Sequence, residues 1–440
     1  MPQELSKNFG VAMATEYVRD AVDNRANTFL IIARVEAWAN DASPNTPYDN
    51  IQSAVGMWRS AIGGKRVTGN DMVTATRRID WANNTPYAAF SDKSVNLYGN
   101  TNNFYAMTDD FNVYKCLANN NGSNSTVKPS YTSYDRVNKE SDGYIWKYML
   151  TLSTADRVRF LTDDFMPVRT LASNDGSLQW LVQQAAVDGA INVIDINNAG
   201  TGYTNSSNIV VTITGDGTLA NATASLNTST NVVSNITVTN QGTGYHYANA
   251  AITGGAGANA TANVVISAFG GHGFQPAYEL GASNVIINIR LKGTEDGKLV
   301  IGNDYRQISL IIDPVRYGTA NTIFSNTVFD QTRTIQTSTG ATAYTLDELV
   351  YQGTSLSAAT FSGRVVDWDN TNNVVSLTET NGTPTTAALY GVTSTTNRFL
   401  ISTTNPELEP FTGKQLYIEN ITSVMRAEDQ TEDIKLVVQF

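Results

Sequence analysis

The segment Ile194-Asp-Ile-Asn-Asn-Ala-Gly-Thr-Gly-Tyr203 returns as Ile236-Thr-Val-Thr-Asn-Gln-Gly-Thr-Gly-Tyr245. Downstream, Thr214-Gly215 is matched by Thr253-Gly254, and Asn221-Ala-Thr-Ala224 by Asn259-Ala-Thr-Ala262. An internal repeat means like units that bury a shared core, and it constrains the fold more than any other feature of the chain. Each copy alternates apolar and polar residues up to a Gly-x-Gly-Tyr turn, which is the period of a half-buried strand. Charged residues nearly vanish between about 190 and 270. Residues 190–272 therefore read as an inserted β module made of a pair of packed hairpin units. Gly254-Gly-Ala-Gly257 lacks the Gly-Lys-Ser/Thr of a phosphate-cradling loop and precedes no helix pattern, so it reads as a turn.

The chain of 440 residues exceeds one ordinary core, and two to four domains follow at roughly 100–200 residues each. Only 16% of it is charged, yet 20 Tyr, 15 Phe and 6 Trp argue against disorder. Abundant Thr, Val and Ile with Asn and Gly turns predict a mainly β, multi-domain protein with a few short helices. Val11, Ala14, Val18 and Ala21/Val22 form one helical stripe, and Thr28–Val35 reads as a buried strand. Ile51, Val55, Trp58 and Ile62 mark a second helix, capped by Asp49 or Asn50 and stopped by Gly63-Gly64. Leu178, Leu181, Val182 and Ala185 mark a third. Strands are expected at Val285–Leu291, Arg306–Ile312, Tyr344–Tyr351, Gly363–Trp368, Lys414–Glu419 and Ile434–Phe440. A strand at the end of a chain frays unless a sheet holds it, and an early strand is its expected partner. The expected domains are a discontinuous β scaffold from residues 1–95, 275–318 and 411–440, and a second β-rich domain over 96–189. Inserted into them are the repeat module at 190–272 and a β-barrel-like module at 319–410.

Net charge is −11, from 29 basic and 40 acidic residues, which disfavours contact with nucleic acid and with anionic membranes. Gly64-Lys65-Arg66 is too short to form a basic track. The opening Met-Pro-Gln-Glu-Leu-Ser shows no basic n-region followed by an apolar run, and nothing approaches the roughly 18–20 apolar residues of a membrane span. Synthesis in a cytoplasm is the expectation, so sequons such as Asn221-Ala-Thr223 and Asn420-Ile-Thr422 read as products of composition. Cys116, the single cysteine, reads as a small buried thiol in an alternating run.

The search for chemistry assigns no catalytic, cofactor-binding or metal-binding residue, and the chain reads as not an enzyme. His246 and His272 stand apart in Gly-rich contexts, without the clustering a metal needs. Nucleophile elbow, Walker loop and dinucleotide fingerprint are all missing. Asp109-Asp110, Asp163-Asp164 and Glu428-Asp429 are acidic pairs of the kind a glycosidase needs, but adjacent acids usually mark solvated turns.

Several segments together resemble the baseplate wedge protein called gene product eight in T-even-type tailed phages. They are Asn27-Thr-Phe-Leu-Ile-Ile-Ala-Arg-Val-Glu-Ala-Trp38, Met57-Trp58, Arg77-Arg-Ile-Asp-Trp81 with Pro86-Tyr87, Val113-Tyr-Lys-Cys-Leu117 and Ser141-Asp-Gly-Tyr-Ile-Trp-Lys-Tyr-Met-Leu150. Later come Tyr305-Arg-Gln-Ile-Ser-Leu-Ile-Ile-Asp-Pro314, then Leu416-Tyr-Ile-Glu-Asn420 leading to Ala427-Glu-Asp-Gln-Thr-Glu-Asp-Ile434. The resemblance covers about 1–185, 284–318 and 411–440 and leaves out both inserted modules. It implies a virion structural protein of a contractile tail, sited in the baseplate. Such a protein pairs with a second copy of itself and touches other wedge and peripheral baseplate proteins.

Trp58, Trp81 and Trp146 are expected in cores, and Arg77 and Arg78 in pairs with carboxylates. The competing reading is a tail-associated adhesin in which Tyr203, Tyr245 and Tyr247 of the 190–272 module stack on host glycans. Against it, these tyrosines are read as packing on the turn glycines.

Overall fold

The computed structural model describes residues 6–94, 96–99 and 101–440. The first five residues, on which most of the reading of the amino terminus rested, Val95 and Asn100 lie outside them. Strand makes up 43% and helix 12%, so the protein is mainly β and multi-domain, with five short helices among the described residues. It divides into two compact units, each discontinuous in sequence. One holds residues 1–16, 73–286 and 437–440, and the other residues 17–72 and 287–436.

The second unit is built on a five-stranded sheet in the order Val328–Asp330, Ala61–Val67, Thr28–Ala33, Asp304–Ile312, Lys414–Met425. Thr28–Ala33 is buried at every position, as expected of a central strand covered on both faces. On one face, Met57 and Trp58 of the helix Ile51–Ser60 pack with Phe29, Ile31, Ile311, Phe324, Phe329 and Leu408. Asn50 caps that helix, its side chain accepting from the Ser53 amide at 2.8 Å. Gly63-Gly64 does not stop it: the helix ends at Ser60, and the glycines belong to the strand Ala61–Val67. Their reason is close approach, since a Cβ on Gly64 would lie 2.1 Å from the Leu30 carbonyl and 2.8 Å from the Phe329 ring.

The same unit carries a closed six-stranded barrel in the order Arg333–Thr337, Val374–Gly382, Ala359–Asp369, Leu349–Gly353, Ala388–Gly391, Asn397–Thr404. Ile335, Val350, Phe361, Val365, Val375, Leu377 and Leu389 fill it. The strand expected at Tyr344–Tyr351 starts only at Leu349. Tyr344 precedes it with a buried ring, and its hydroxyl donates to the Leu389 carbonyl at 2.8 Å.

In the first unit a sheet ordered Tyr105–Met107, Asn112–Asn119, Tyr144–Thr151, Val137–Lys139 supports an aromatic core including Phe104, Tyr114, Trp146 and Tyr148. Another sheet runs Thr431–Gln439, Asn284–Lys292, Met72–Arg77, Phe165–Pro167, of which residues 73–77, 165–167, 284–286 and 437–439 belong to this unit. The last strand is thus held, but its direct neighbour is Asn284–Lys292, and the early strand Met72–Arg77 stands one place further in. The Phe440 amide donates to the Ser283 carbonyl at 3.1 Å. The helix Leu178–Ala185 starts on Ser177, but only Val182 and Gln183 are buried, while Leu178 and Leu181 are exposed.

The repeat module belongs to this unit. Its halves are not two separate hairpins. Ile209–Gly215 pairs with Ala248–Gly254 between the copies. The last strand of each copy then pairs with the first strand of the other: Asn221–Asn227 with Val232–Asn240, and Ala258–Ile266 with Ile191–Thr201. A three-strand repeat cannot cover its own apolar face, and exchange lets Ile194, Ile236, Val211, Val233 and Val264 share one core.

Candidate functional site

Most residues singled out in the sequence lie apart from one another. His246 sits on an exposed turn, its Nδ1 3.1 Å from Asp216 Oδ2. The His246 and Tyr247 amides donate to Asp216 at 2.9 and 3.1 Å and bring its pKa down to about 2. Asp109 and Asp110 grip Lys128 at 2.6 and 3.3 Å in solvent, and Glu428-Asp429 forms a turn. Gly255 and Ala256 form the turn between paired strands. Among the described residues, no group of three or more His, Cys, Asp or Glu is placed to hold a metal ion, and no helix is long and apolar enough to cross a membrane.

Tyr203 and Tyr245 are buried to 1% and 5% exposure, whereas Tyr247 is 63% exposed. Gly200 and Gly257 flank the Tyr203 ring, while Gly242 and Gly217 flank that of Tyr245. Both rings are enclosed by glycines, and Tyr245 also lines an open cleft. Trp58 and Trp146 are buried; Trp81 is half-buried and donates to Ser125 Oγ at 3.2 Å. Arg78 pairs with Asp80 at 2.9 Å, and Arg77 donates to Asn103 Oδ1 at 2.6 Å. Lys65 pairs with Glu295 at 2.7 Å. Cys116 is fully buried, and burial pushes its thiol pKa well up.

Three open clefts stand out. In the first unit, one of about 570 Å³ is lined by Lys7, Arg77, Arg78, Tyr98, Asp163 and Asp164. A second, of about 750 Å³, is lined by Phe90, Tyr98, Asp188, Tyr245, His246 and Phe269, the last 88% exposed. In the second unit, a cleft of about 470 Å³ lies between Arg34, Glu36, Asp304, Arg306, Asp347 and Arg364. Its walls are already matched in charge. Arg34 pairs with Asp304 and Asp347, Arg306 with Asp304 and Asp41, and Arg364 with Glu36 and Glu379. These pairs tie barrel residues Asp347, Arg364 and Glu379 to scaffold residues Arg34 and Glu36, which is the work of a joint rather than of an acid–base site.

The densest ionisable group is enclosed rather than open. Lys115 Nζ lies 2.9 Å from Glu279 Oε2 and 3.0 Å from His272 Nδ1, with the Phe90 ring centroid 3.8 Å away. The Gly273 and Gln275 amides donate to Glu279 Oε1 at 2.7 and 3.3 Å. Burial pulls the Lys115 ammonium below its usual pKa against the pull of Glu279. Burial and the Lys115 charge push His272 down to about 4. Glu279 is raised by burial but held overall at about 2 by Lys115 and His272. Lys147, close by, is lowered by burial to about 8 and donates to the Tyr134 carbonyl at 2.6 Å. Of this group the sequence reading singled out only His272. A lysine inside the alternating run Val113-Tyr-Lys-Cys-Leu117 was the available signal.

No protein-family model matches the chain, and no curated protein matches it.

Proposed function

We propose that the protein is a structural subunit of a phage tail baseplate wedge, acting through self-pairing and through contacts with other wedge proteins. The observation that carries this reading is where the segments resembling the wedge family fall. Three of them, far apart in sequence, form consecutive strands of one sheet, with Leu30 opposite Leu310 and Leu310 opposite Tyr417. In the other unit, Cys116 stands opposite Trp146, so the segments around 113–117 and 141–150 meet, and Asp80 bridges Met107 of the strand next to Asn112–Asn119. Chance matches would scatter over a fold; these hold one another in register.

The chemistry of the molecule suits this role. Its arginines are largely engaged in pairs that fix the fold, and its surface mixes Asn, Thr and Ser with single exposed aromatics such as Tyr48, Tyr131 and Phe399. Such surfaces form wet, extended contacts that repack between states of an assembly. The test is to mix the protein with its neighbouring wedge gene products and determine mass by sedimentation and native mass spectrometry. A self-paired species entering a complex of fixed copy number is expected. A strict monomer that ignores those partners refutes the reading.

A further inference from the structure

We propose that the Lys115 amine and the Glu279 carboxyl condense to an amide within the folded protein, closing a covalent cross-link between segments that precede and follow the repeat module. The inference stands on the geometry of one unit and is independent of the wedge reading.

Four features converge on the bond. The nucleophile is in place, with Nζ 2.9 Å from Oε2 and side-chain exposures of 0% and 3%. Holding reactants in contact replaces a bimolecular encounter by an intramolecular step. A cradle for the developing charge is also in place. As Nζ adds to Cδ, negative charge collects on Oε1, where the Gly273 and Gln275 N–H groups already point. Gly273 suits this loop because its φ is +92° and a Cβ would lie 2.3 Å from Val182 Cγ1. A proton carrier stands beside the two groups, since His272 Nδ1 is 3.0 Å from Nζ and 3.9 Å from Oε2. Finally, the site is dry. Phe90 lies over Nζ and edge-on to the His272 ring at 5.1 Å, and His272 is 5% exposed. Amide formation expels water, so exclusion of solvent favours the product and protects it.

The step balances without any other reactant. The ammonium passes one proton across the 2.9 Å contact to Oε2, leaving a neutral amine facing a neutral carboxyl. The Nζ lone pair then forms the C–N bond to Cδ. Collapse of the tetrahedral intermediate breaks Cδ–Oε2. That oxygen departs as water, carrying the two protons lost by the ammonium, with His272 as the relay. No electron changes hands. The resting ion pair favours the charged forms, so the reaction is slow, but each molecule needs it only once. Its product ties the strand Asn112–Asn119 to the helix Pro276–Glu279, which lie before and after the inserted module in the chain.

The test is the intact mass of the full chain under denaturing conditions, which requires no variant to fold. The wild-type protein is expected to be lighter than its sequence by one water, and a tryptic digest to yield one branched peptide joining Lys115 to Glu279. Lys115→Arg is expected at full mass. His272→Asn, folded by circular dichroism, is expected to lose the water at least tenfold more slowly. Wild-type protein at full mass after prolonged incubation overturns the proposal, as does a lost water mapped to any other pair.

Discussion

Replacing Gly257 with alanine places a methyl group where the Tyr203 ring lies. An ideal Cβ there would stand 2.3 Å from Cγ, 2.4 Å from Cδ2 and 2.6 Å from Cδ1 of the ring. Carbon contacts settle near 3.5–4.0 Å, so the ring must retreat by roughly 1 Å or more. It has nowhere to go: Tyr203 is 1% exposed, and on Gly200 a Cβ would already lie 2.7 Å from its Cε2. Gly257 needs no left-handed backbone, so the cost is steric rather than conformational. Overpacking of this kind costs about 1–3 kcal/mol, and expelling the ring altogether about 3–5 kcal/mol. The expected loss is therefore about 3 kcal/mol. Gly217→Ala meets Tyr245 at 2.4 Å in the same way and should match it within about 1 kcal/mol. Urea unfolding combined with hydrogen exchange of amides in residues 191–266 reads both. Combining Gly257→Ala with Tyr203→Leu should recover at least about 1 kcal/mol, because the clash needs both partners. A Gly257→Ala protein within about 0.5 kcal/mol of the parent, or strict additivity in the double variant, refutes the packing argument.

At the neck of the barrel, burial pushes the Asp330 carboxyl up to about 6, with Glu407 adding to the shift. The folded state holds that proton more tightly than the unfolded chain, so the stabilisation is complete below the usual Asp value and is lost as pH rises through about 6. Asp330→Asn should therefore raise stability by about 2–3 kcal/mol at pH 8 and by almost nothing near pH 4, measured by chemical unfolding; an equal change at both pH values refutes it. Inside the barrel, the Arg398 guanidinium donates to the Ser338, Gly340 and Thr342 carbonyls and to Asn373 Oδ1, and stacks on Trp368 at 4.7 Å. Arg398→Lys keeps the charge but loses the fork, and should cost about 2–4 kcal/mol in unfolding followed by tryptophan fluorescence; an unchanged midpoint refutes the assignment.

What the sequence made legible was local. The continuous apolar run at Thr28–Ala33 and the helix behind Asn50 follow from period and cap chemistry, which need only a few neighbouring residues. The β class follows from composition, and the repeat from self-similarity. Whatever depends on distant pairing was hidden. Gly63-Gly64 looks like a helix stop because its reason, the crowding of Phe329 and the Leu30 carbonyl, lies elsewhere in the chain. Strand exchange between the repeats depends on registers that period-two patterns leave open. Glu279 could not be read as the partner of Lys115, because 164 positions separate them and neither carries a motif. Asp163-Asp164 shows the opposite failure: adjacency was visible, but not the cleft it shares with Arg77 and Arg78.

Both modules are attached by the same device. The Ser267 amide donates to the Ala190 carbonyl at 2.9 Å, and the Ala190 amide to Ser267 Oγ at 3.1 Å, where the repeat module begins and ends. At the barrel, Asp330 and Glu407 exchange bonds of 2.8 and 3.0 Å, and Gln331 and Leu408 bonds of 3.1 and 3.2 Å. In each case the incoming and outgoing chains are neighbours before the module starts. Loop-closure entropy rises only with the logarithm of length, so a parent fold accepts a long insertion easily when its two ends already touch. Each module then needs its own core, and each has one. The necks differ in chemistry, however. The barrel hangs on the Asp330 carboxyl, whose charge burial and the nearby Glu407 disfavour, whereas the repeat module emerges close to a lysine, a histidine and a glutamate that attract. The first joint loosens as Asp330 ionises. Near the second, Lys115 stands in contact with both Glu279 and His272, and the proposed cross-link would fix the joint.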